Sequence, residues 1–599
     1  GDLVASTYGM GDDGLPEEEV GDQNKGWSAR DVLATAVPDE RTIITWDGAK
    51  GQPFRWNSLT ATQKADLNTD APLLGEERLN YLRGKTKSEI AESNEEDAKL
   101  FRERTYLLGS IVNSTPRFIG APSSGWPNDI PNASKYSEFY NSNLDRTPVV
   151  YVGANDGMLH GFQATDNDDN GGKEVIAYVP SFVYSTASDR GLHYLTDPEY
   201  GHRFYVDLNL EVVDVFTKGR RKNGSVNNSE AWRTLLIGGA RAGAKGIFAL
   251  DVTSPDSFSE DSAAAHALWE FTPDDDNRLG YLVEPPEVAL MDWGSGPRWT
   301  AFVSNGYNSD NGSTGFFMLD IEKGLDGWDV GDYLYHEFQS GGDGLSPLTL
   351  IDTDADYIVD RVYGGDRDGN LWVADVTGGS PKTAYTGPYF KADQPITSAP
   401  AVSLSADTGK DPDLMILFGT GQYLEEGDNG TTDSQYFYAV HETSDAAPAV
   451  TVNDLVAINV TGTGSQRETE NTRVDYEKNR GWYTELPTSG ERIVNYPIIR
   501  GEYVYVNTLI PSSNPCMGGG YGWIMGFEIV RAKDTVPVYK AFKKLGQNGV
   551  GVKVSSTPSQ LSTWGNLLTY GTGVGGAGFT ELEPFDDVLG RRGWREITE

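Results

Sequence analysis

From about residue 148 onward, the apolar and polar positions fall into one recurring pattern. A short run of Val, Ile, Leu and aromatic residues ends in Gly or another small residue. A polar turn of Gly, Asn and Asp follows, and then a second apolar run. The copies, in order, are VVYVGANDGMLHGFQAT, LLIGGARAGAKGIFALDVT, AFVSNGYNSDNGSTGFFMLDIE, DRVYGGDRDGNLWVADVT, LMILFGTGQYLEEGDNGTTDSQYFYAV and EYVYVNTLIPSSNPCMGGGYGWIMGFEI, the last with a longer loop. Short apolar runs bounded by such turns predict paired strands. Asn155-Asp156-Gly157 and Asp368-Gly369 are tight-reversal signals, because a two-residue hairpin turn needs positive φ. Three copies close on an aspartate and a short turn, at Asp251, Asp320 and Asp375.

A hairpin repeated this often predicts a stacked or radial β architecture. The copies are spaced unevenly, roughly 54 to 90 residues apart, against the ~40–45 of a minimal four-stranded blade. The expectation is an all-β fold, a modified, about seven-bladed β-propeller with long loops. Six copies are clear. The seventh would be completed by RTIITWDG (41–48) or TWGNLLTYGTG (563–573), closing the ring with strands from both ends. One stretch, residues 58 to about 112, breaks the pattern and predicts a small helical insertion. SLTATQKADLN opens it, with Ser58 or Thr60 as N-cap, and its Glu- and Lys-rich continuation reads as a solvated face. The acidic, Gly-rich residues 1–27 read as a linker, 28–599 as the propeller domain, and about 580–599 as a C-terminal tail.

Composition supports a packed β protein. The 599 residues are 38% hydrophobic and include 14 Trp, 30 Tyr and 22 Phe, ample for a core, with 70 Gly and 30 Pro for turns. A net charge of −39 argues against nucleic acid and anionic membrane surfaces as partners, since both are polyanions. It fits solubility or a saline habitat, and it attracts divalent cations. The single cysteine, Cys516, permits no intrachain disulfide and has no Cys-His signature around it, so a structural role is expected. No run approaches the ~20 apolar residues of a membrane span, so membrane association is expected to be indirect only. The opening GDLVASTYGM carries no signal peptide and reads as a boundary within a longer chain.

The candidate chemistry sits in DTDADYIVD, residues 352–360, with aspartates at its positions 1, 3, 5 and 9. Like charges at ~4 Å repel by roughly 1 kcal/mol in water and roughly 4 at an effective dielectric of 20, so a bound cation would offset a real cost. EF-hand-type loops ligate Ca²⁺ through side chains at 1, 3 and 5, a backbone carbonyl at 7 and a further group at 9. Here these are Asp352, Asp354, Asp356, the carbonyl of Ile358, and Asp360. The full motif also needs Gly at position 6 and Glu at 12, where this chain has Tyr357 and Tyr363. The flanking LSPLTLI and RVYGG predict strands, so the expectation is a shortened calcium loop between strands. A solvated acidic turn is the alternative. A second run, DNDDNGGKE, places Asp166, Asp168 and Asn170 in a similar order but lacks an acid at position 12 (Ala177) and reads first as a polar turn.

Several long motifs taken together resemble the C-terminal domain of the PilC/PilY-type proteins of type IV pili. They are NSTPRFIGAP, VYVGANDGMLHGFQA, AYVPSF, AKGIFALDVT, LWEFT and DTDADYIVDRVYGGDRDGNLWVADV, and the likeness runs from roughly 27 to 535. The resemblance implies a modified β-propeller in a pilus-tip-associated adhesin that supports fimbrial assembly, with an EF-hand-like calcium loop opposing pilus retraction. It places the calcium ligands on Asp352, Asp354, Asp356, Ile358 and Asp360. It also implies a cell-surface, pilus-associated location, passage through periplasm or outer membrane during assembly, and roles in twitching motility, adhesion and virulence. The implied partners are the pilus machinery or minor pilins, and a host or abiotic surface. The RGD tripeptide of some members is absent here, the nearest being Arg83-Gly84-Lys85, and the family's N-terminal adhesive domain lies outside this sequence.

The sequence also admits two other readings: a calcium- and quinone-dependent dehydrogenase propeller, and a glycan- or protein-binding adhesin without pilus regulation. The single cysteine, the scattered histidines (160, 193, 202, 266, 336 and 441) and the lack of a G-x-S-x-G elbow argue against catalysis. An interaction protein rather than an enzyme is expected.

Overall fold

The structure is a computed structural model of the chain. It describes residues 1–6, 8–10, 16–18, 25–165, 170–404, 413–443, 449–462, 464–470, 472–512, 520–531, 541–542, 545, 549–554, 559–564, 567–571 and 577–582. Each of the six repeated segments forms a hairpin of adjacent antiparallel strands: Val149–Gly153 with Leu159–Gln163, Val226–Gly239 with Ile247–Asp251, Pro297–Ser304 with Ser313–Asp320, Arg361–Asp366 with Asn370–Asp375, Asp413–Gly419 with Tyr436–Thr443, and Tyr503–Asn507 with Gly520–Glu528. Flanking strands widen each hairpin into a sheet of four or more, and the first four of these sheets are built mainly from consecutive strands.

Hydrophobic clusters join each sheet to the next. One links the first and second sheets, a second the second and third, and the series continues to the sixth. A sheet held between two neighbours buries both faces. This is why its strands read as unbroken apolar runs and not as alternations: every residue of Ser313–Asp320 is buried. Aromatic rings stitch the seams. Phe271 meets Phe317 edge-on at 5.2 Å, and Trp126 and Trp232 lie 5.0 and 6.0 Å from Trp299. This serial arrangement of sheets is that of a β-propeller.

The two segments proposed to share a closing blade go to different sheets. Ile43–Trp46 runs parallel to Glu174–Val179 at the outer side of the first sheet. Ser562–Trp564 instead joins Leu567–Gly571 and Ala577–Glu581 in a separate three-stranded sheet. The reason lies in the chain order, since Gly51–Pro53 continues the first sheet beyond Ile43–Trp46 and occupies that edge.

Residues 58–112 contain the helices Ala61–Leu67, Gly75–Arg83, Lys87–Ser93 and Glu95–Ala98. Thr60, not Ser58, caps the first, in a reciprocal box with Gln63. Buried Arg83 docks the helices on the first sheet by donating to the carbonyls of Phe54, Pro38 and Arg41. Within the segment read as a linker, Val4–Ser6 pairs with Lys25–Ser28, and Asp2 accepts from Ser28 Oγ and the Arg30 amide. Short helices at Ala29–Leu33, Tyr136–Ser142 and Ala263–His266 carry too few periodic positions to stand out in the sequence. Cys516 and most of the C-terminal tail lie outside the described residues.

Candidate functional site: an aspartate loop at a seam between sheets

The fourth sheet begins with Leu345–Ile351 and Arg361–Asp366, paired so that Ile351 faces Arg361. The nine residues between them are the aspartate loop. Its backbone is wound by its own carboxylates. Asp352 Oδ1 accepts from the amides of Asp354 (3.2 Å) and Ala355 (2.7 Å), and Oδ2 accepts from Tyr357 (2.8 Å). Asp356 Oδ1 accepts from the Ile358 amide at 2.8 Å. Winding this tight requires the left-handed region at two places, Ala355 (φ 64°) and Tyr357 (φ 72°). Tyr357 is the position at which an EF-hand loop has glycine, so the expected backbone shape is kept without the expected residue.

Three of the five residues proposed as ligands come together. One carboxylate oxygen from each of Asp352, Asp354 and Asp356 lies within 4.8 Å of the other two, the one such group of three among the described residues. Burial pushes the Asp352 carboxyl up from its ordinary value despite the three amides it accepts. Asp356 is pushed up too, by burial and by the charges of Asp354 and Asp360. Both directions are those of acids crowded without a cation. Asp360 lies outside this trio, near enough for its charge to raise Asp356, and its Oδ2 accepts from Thr353 N (2.7 Å) and Oγ1 (2.5 Å). Ile358 is held by a parallel bridge to Leu290 of the third sheet, and Val359 N donates to Leu290 O at 2.8 Å. The loop is therefore fastened across a seam between neighbouring sheets.

Comparison of the repeats shows what the loop displaced. After the strand-ending aspartates, Val252 N donates to Thr234 O, Ile321 N to Trp299 O and Val376 N to Asp360 O. In the first two cases the residue before the accepting carbonyl is an arginine that clasps the aspartate: Arg233 to Asp251 at 2.6 Å and Arg298 to Asp320 at 2.8 Å. In the third that place is held by Val359, and Asp375 pairs with Lys382 instead, while keeping the contact to a following threonine that Asp251 also makes. Thr353 and the Leu290 contact had no signal in the sequence. The lost arginine did, in the contrast of WRTLL and PRWTA with IVDRV. Of the second run, Asp166 and Asp168 lie outside the described residues. His160 is a buried strand residue, as expected of MLHGF.

Fold and site together define a β-propeller with a tightly wound acidic loop fastened at a seam between two of its sheets. Residues 108–476 match the PilY1 beta-propeller domain family, and the chain belongs to that family. It is 30% identical over 575 residues to the type IV pilus biogenesis factor PilY1 of Pseudomonas aeruginosa, covering 84% of this chain and 46% of the relative. It is 32% identical over 495 residues to a PilY1 homolog of Xylella fastidiosa, covering 74% of this chain and 30% of that one. The chain thus spans less than half the length of these relatives. The crystal structure of the P. aeruginosa PilY1 C-terminal domain superposes with a TM-score of 0.60 at 24% identity, over 78% of this chain and all of that one, and so shares the fold.

Proposed function

We propose that this propeller is a Ca²⁺-binding interaction module of a type IV pilus biogenesis factor. The observation that carries the metal assignment is the convergence of the Asp352, Asp354 and Asp356 oxygens within 4.8 Å in a loop without a compensating base. Calcium–oxygen distances are about 2.3–2.6 Å, so oxygens this close can all touch one ion. Asp352 Oδ2 and Asp356 Oδ1 each accept one amide and keep a second lone pair for a metal, and Asp360 keeps Oδ1 clear of Thr353. Asp352, Asp354, Asp356 and Asp360 would supply carboxylates and Ile358 its carbonyl. A hard all-oxygen set without His or Cys suits calcium over zinc, and few positions are left for the waters that magnesium retains. Bound, the ion would neutralise the loop and stiffen its backbone.

The chain's own contribution is the fastening of that backbone at Leu290. Any change in the loop is passed to the neighbouring sheet and to the surface the two present. On this reading calcium occupancy biases which partner surface is offered, to pilus machinery or minor pilins, and so regulates extension and retraction, twitching motility and adhesion to host or abiotic surfaces. The protein would act at the cell surface, pilus-associated, after passage through periplasm or outer membrane, and by binding instead of catalysis. The names of the relatives support the pilus assignment, and the family membership supports the module. The test is Asp354→Asn, an exposed change outside the loop's own amide network. Calorimetry should show one calcium site in the parent and at least about tenfold weaker binding in the variant, with the fold unchanged. No heat of binding from the parent at millimolar calcium would end the metal assignment. Normal retraction in cells carrying the variant would end the regulatory one alone.

A further inference from the structure

A second site lies far along the chain from the aspartate loop, where the helical insertion meets the first sheet. A cavity of about 320 Å³ opens there, lined by residues 102–110 and by Asn155, Asp156, Met158 and His160, the two segments meeting where Gly109 N donates to Asp156 Oδ2 at 2.6 Å. Three arginines, Arg41, Arg102 and Arg104, face it in a chain of net charge −39. Two charges in its wall are matched. Arg41 makes a two-pronged pair with Glu174 at 2.7 and 2.8 Å. His160 donates Nδ1 to Glu174 (2.7 Å) and Nε2 to Asp156 (3.1 Å). Burial opposes its charge, but Asp156 and Glu174 prevail and hold the ring up to about 9.

The other two arginines have no carboxylate within ion-pair reach among the described residues. Arg104 donates to the carbonyls of Tyr81 and Lys85 and lies 3.9 Å from the Tyr81 ring centroid. Burial, with Arg41 and Arg102 nearby, brings its guanidinium down to about 10. Arg102 is held through its backbone, which donates to Thr196 O and accepts from Tyr81 Oη. Its guanidinium is stacked 4.2 Å from the Tyr200 ring centroid, and its Nε is buried with no hydrogen-bond partner. A buried donor left unpaired costs about 1–3 kcal/mol, and an unpaired guanidinium fork matches a planar carboxylate bidentately.

We propose that this cavity binds a small monocarboxylate, its oxygens on the Arg102 fork and its body against the apolar wall of Leu82, Leu108, Met158 and Leu195. A volume of this size lies at the small end of ligand sites, that of a monosaccharide acid or an acidic amino acid. Asp156, hydrogen-bonded to Gly109 N at 2.6 Å and to His160, adds negative charge to the wall and disfavours phosphate, which carries more than one. Sugar acids and acidic amino acids share the carboxylate, and separate probes distinguish them.

The test is titration of the intact chain with sodium galacturonate, N-acetylneuraminate, N-acetylglutamate α-amide and inorganic phosphate, followed by calorimetry and thermal melting. At least one carboxylate should bind at one equivalent with a Kd of about 1 mM or tighter, and its methyl ester about tenfold more weakly. Arg102→Gln should lose about tenfold in affinity while the chain stays cooperatively folded, and Arg102→Lys should recover part of it. Which probe wins identifies the source. Equal binding by Arg102→Gln, preference for phosphate, or no carboxylate binding at about 10 mM overturns the proposal.

Discussion

Tyr357 occupies a backbone conformation that glycine usually takes, and its retention is explained by two contacts. Its amide donates to Asp352, and its ring packs on the core cluster between the second and third sheets. Replacing it by glycine would relieve the backbone but lose that packing. Ala355 has the same left-handed conformation and its amide also donates to Asp352, but its exposed methyl packs on no core. The left-handed region costs a non-glycine residue roughly 1–2 kcal/mol, and glycine's extra freedom in the unfolded chain returns part of it. Ala355→Gly should therefore raise stability by about 0.5–1 kcal/mol, read as a higher urea midpoint with calcium chelated. A lower midpoint would mean that the left-handed turn at this residue is not the conformation in solution.

At the scale of elements, the aspartate loop is a device for joining sheets, and hydrogen exchange is the measurement suited to it. The Val359 amide is the one that crosses to Leu290. Calcium at saturation should slow its exchange, and that of the loop amides held by Asp352, more than that of the Asn370–Asp375 strand in the same sheet. Uniform protection across the sheet would mean that the ion stabilises globally without tightening the seam. The same scale shows what was readable beforehand. All six hairpins were legible, because strands sandwiched between two sheets become continuous apolar runs whose ends are marked by Gly, Asn and Asp. That the carboxylates at the first, third and fifth positions of the loop come together was legible, because aspartates alternating through so short a connection crowd one another. The pairing of RTIITWDG was not, since an outer parallel contact between residues far apart leaves no local trace. Nor was the role of Thr353, a residue that caps turns throughout proteins and here happens to face Asp360.

At the scale of the whole molecule, the acidic surface hides a few buried ionisable groups that set its response to pH. Glu270, on the last strand of the second sheet, reaches back to the first and accepts from Tyr178 Oη (2.6 Å), Ser181 N (2.8 Å) and Ser181 Oγ. Burial outweighs these donors and raises the carboxyl from 4.5 to about 7. His160, in the wall of the second cavity, is raised from 6.5 to about 9. Both groups hold a proton more firmly folded than unfolded. Stability rises with pH only where the unfolded state binds more protons, and here the native state binds more, between pH 4.5 and 7 for Glu270 and between 6.5 and 9 for His160. Each therefore favours the folded form most on the acid side, and that contribution is lost as pH climbs through its window. Glu174, lowered from 4.5 to about 2, has the opposite sign and sets the acid limit. The contributions of these three groups are jointly most favourable on the mildly acidic side of neutrality. Glu270→Gln keeps the shape of the side chain and removes its titration. Glu270 contributes about 2–3 kcal/mol and His160 about 2 between pH 5 and pH 8, so the parent should lose on the order of 4 kcal/mol over that range. The variant should lose visibly less, with its decline confined to the His160 window above pH 6.5. Melting curves at matched ionic strength would check this, and parallel profiles for parent and variant would show that Glu270 is already ionised at pH 5.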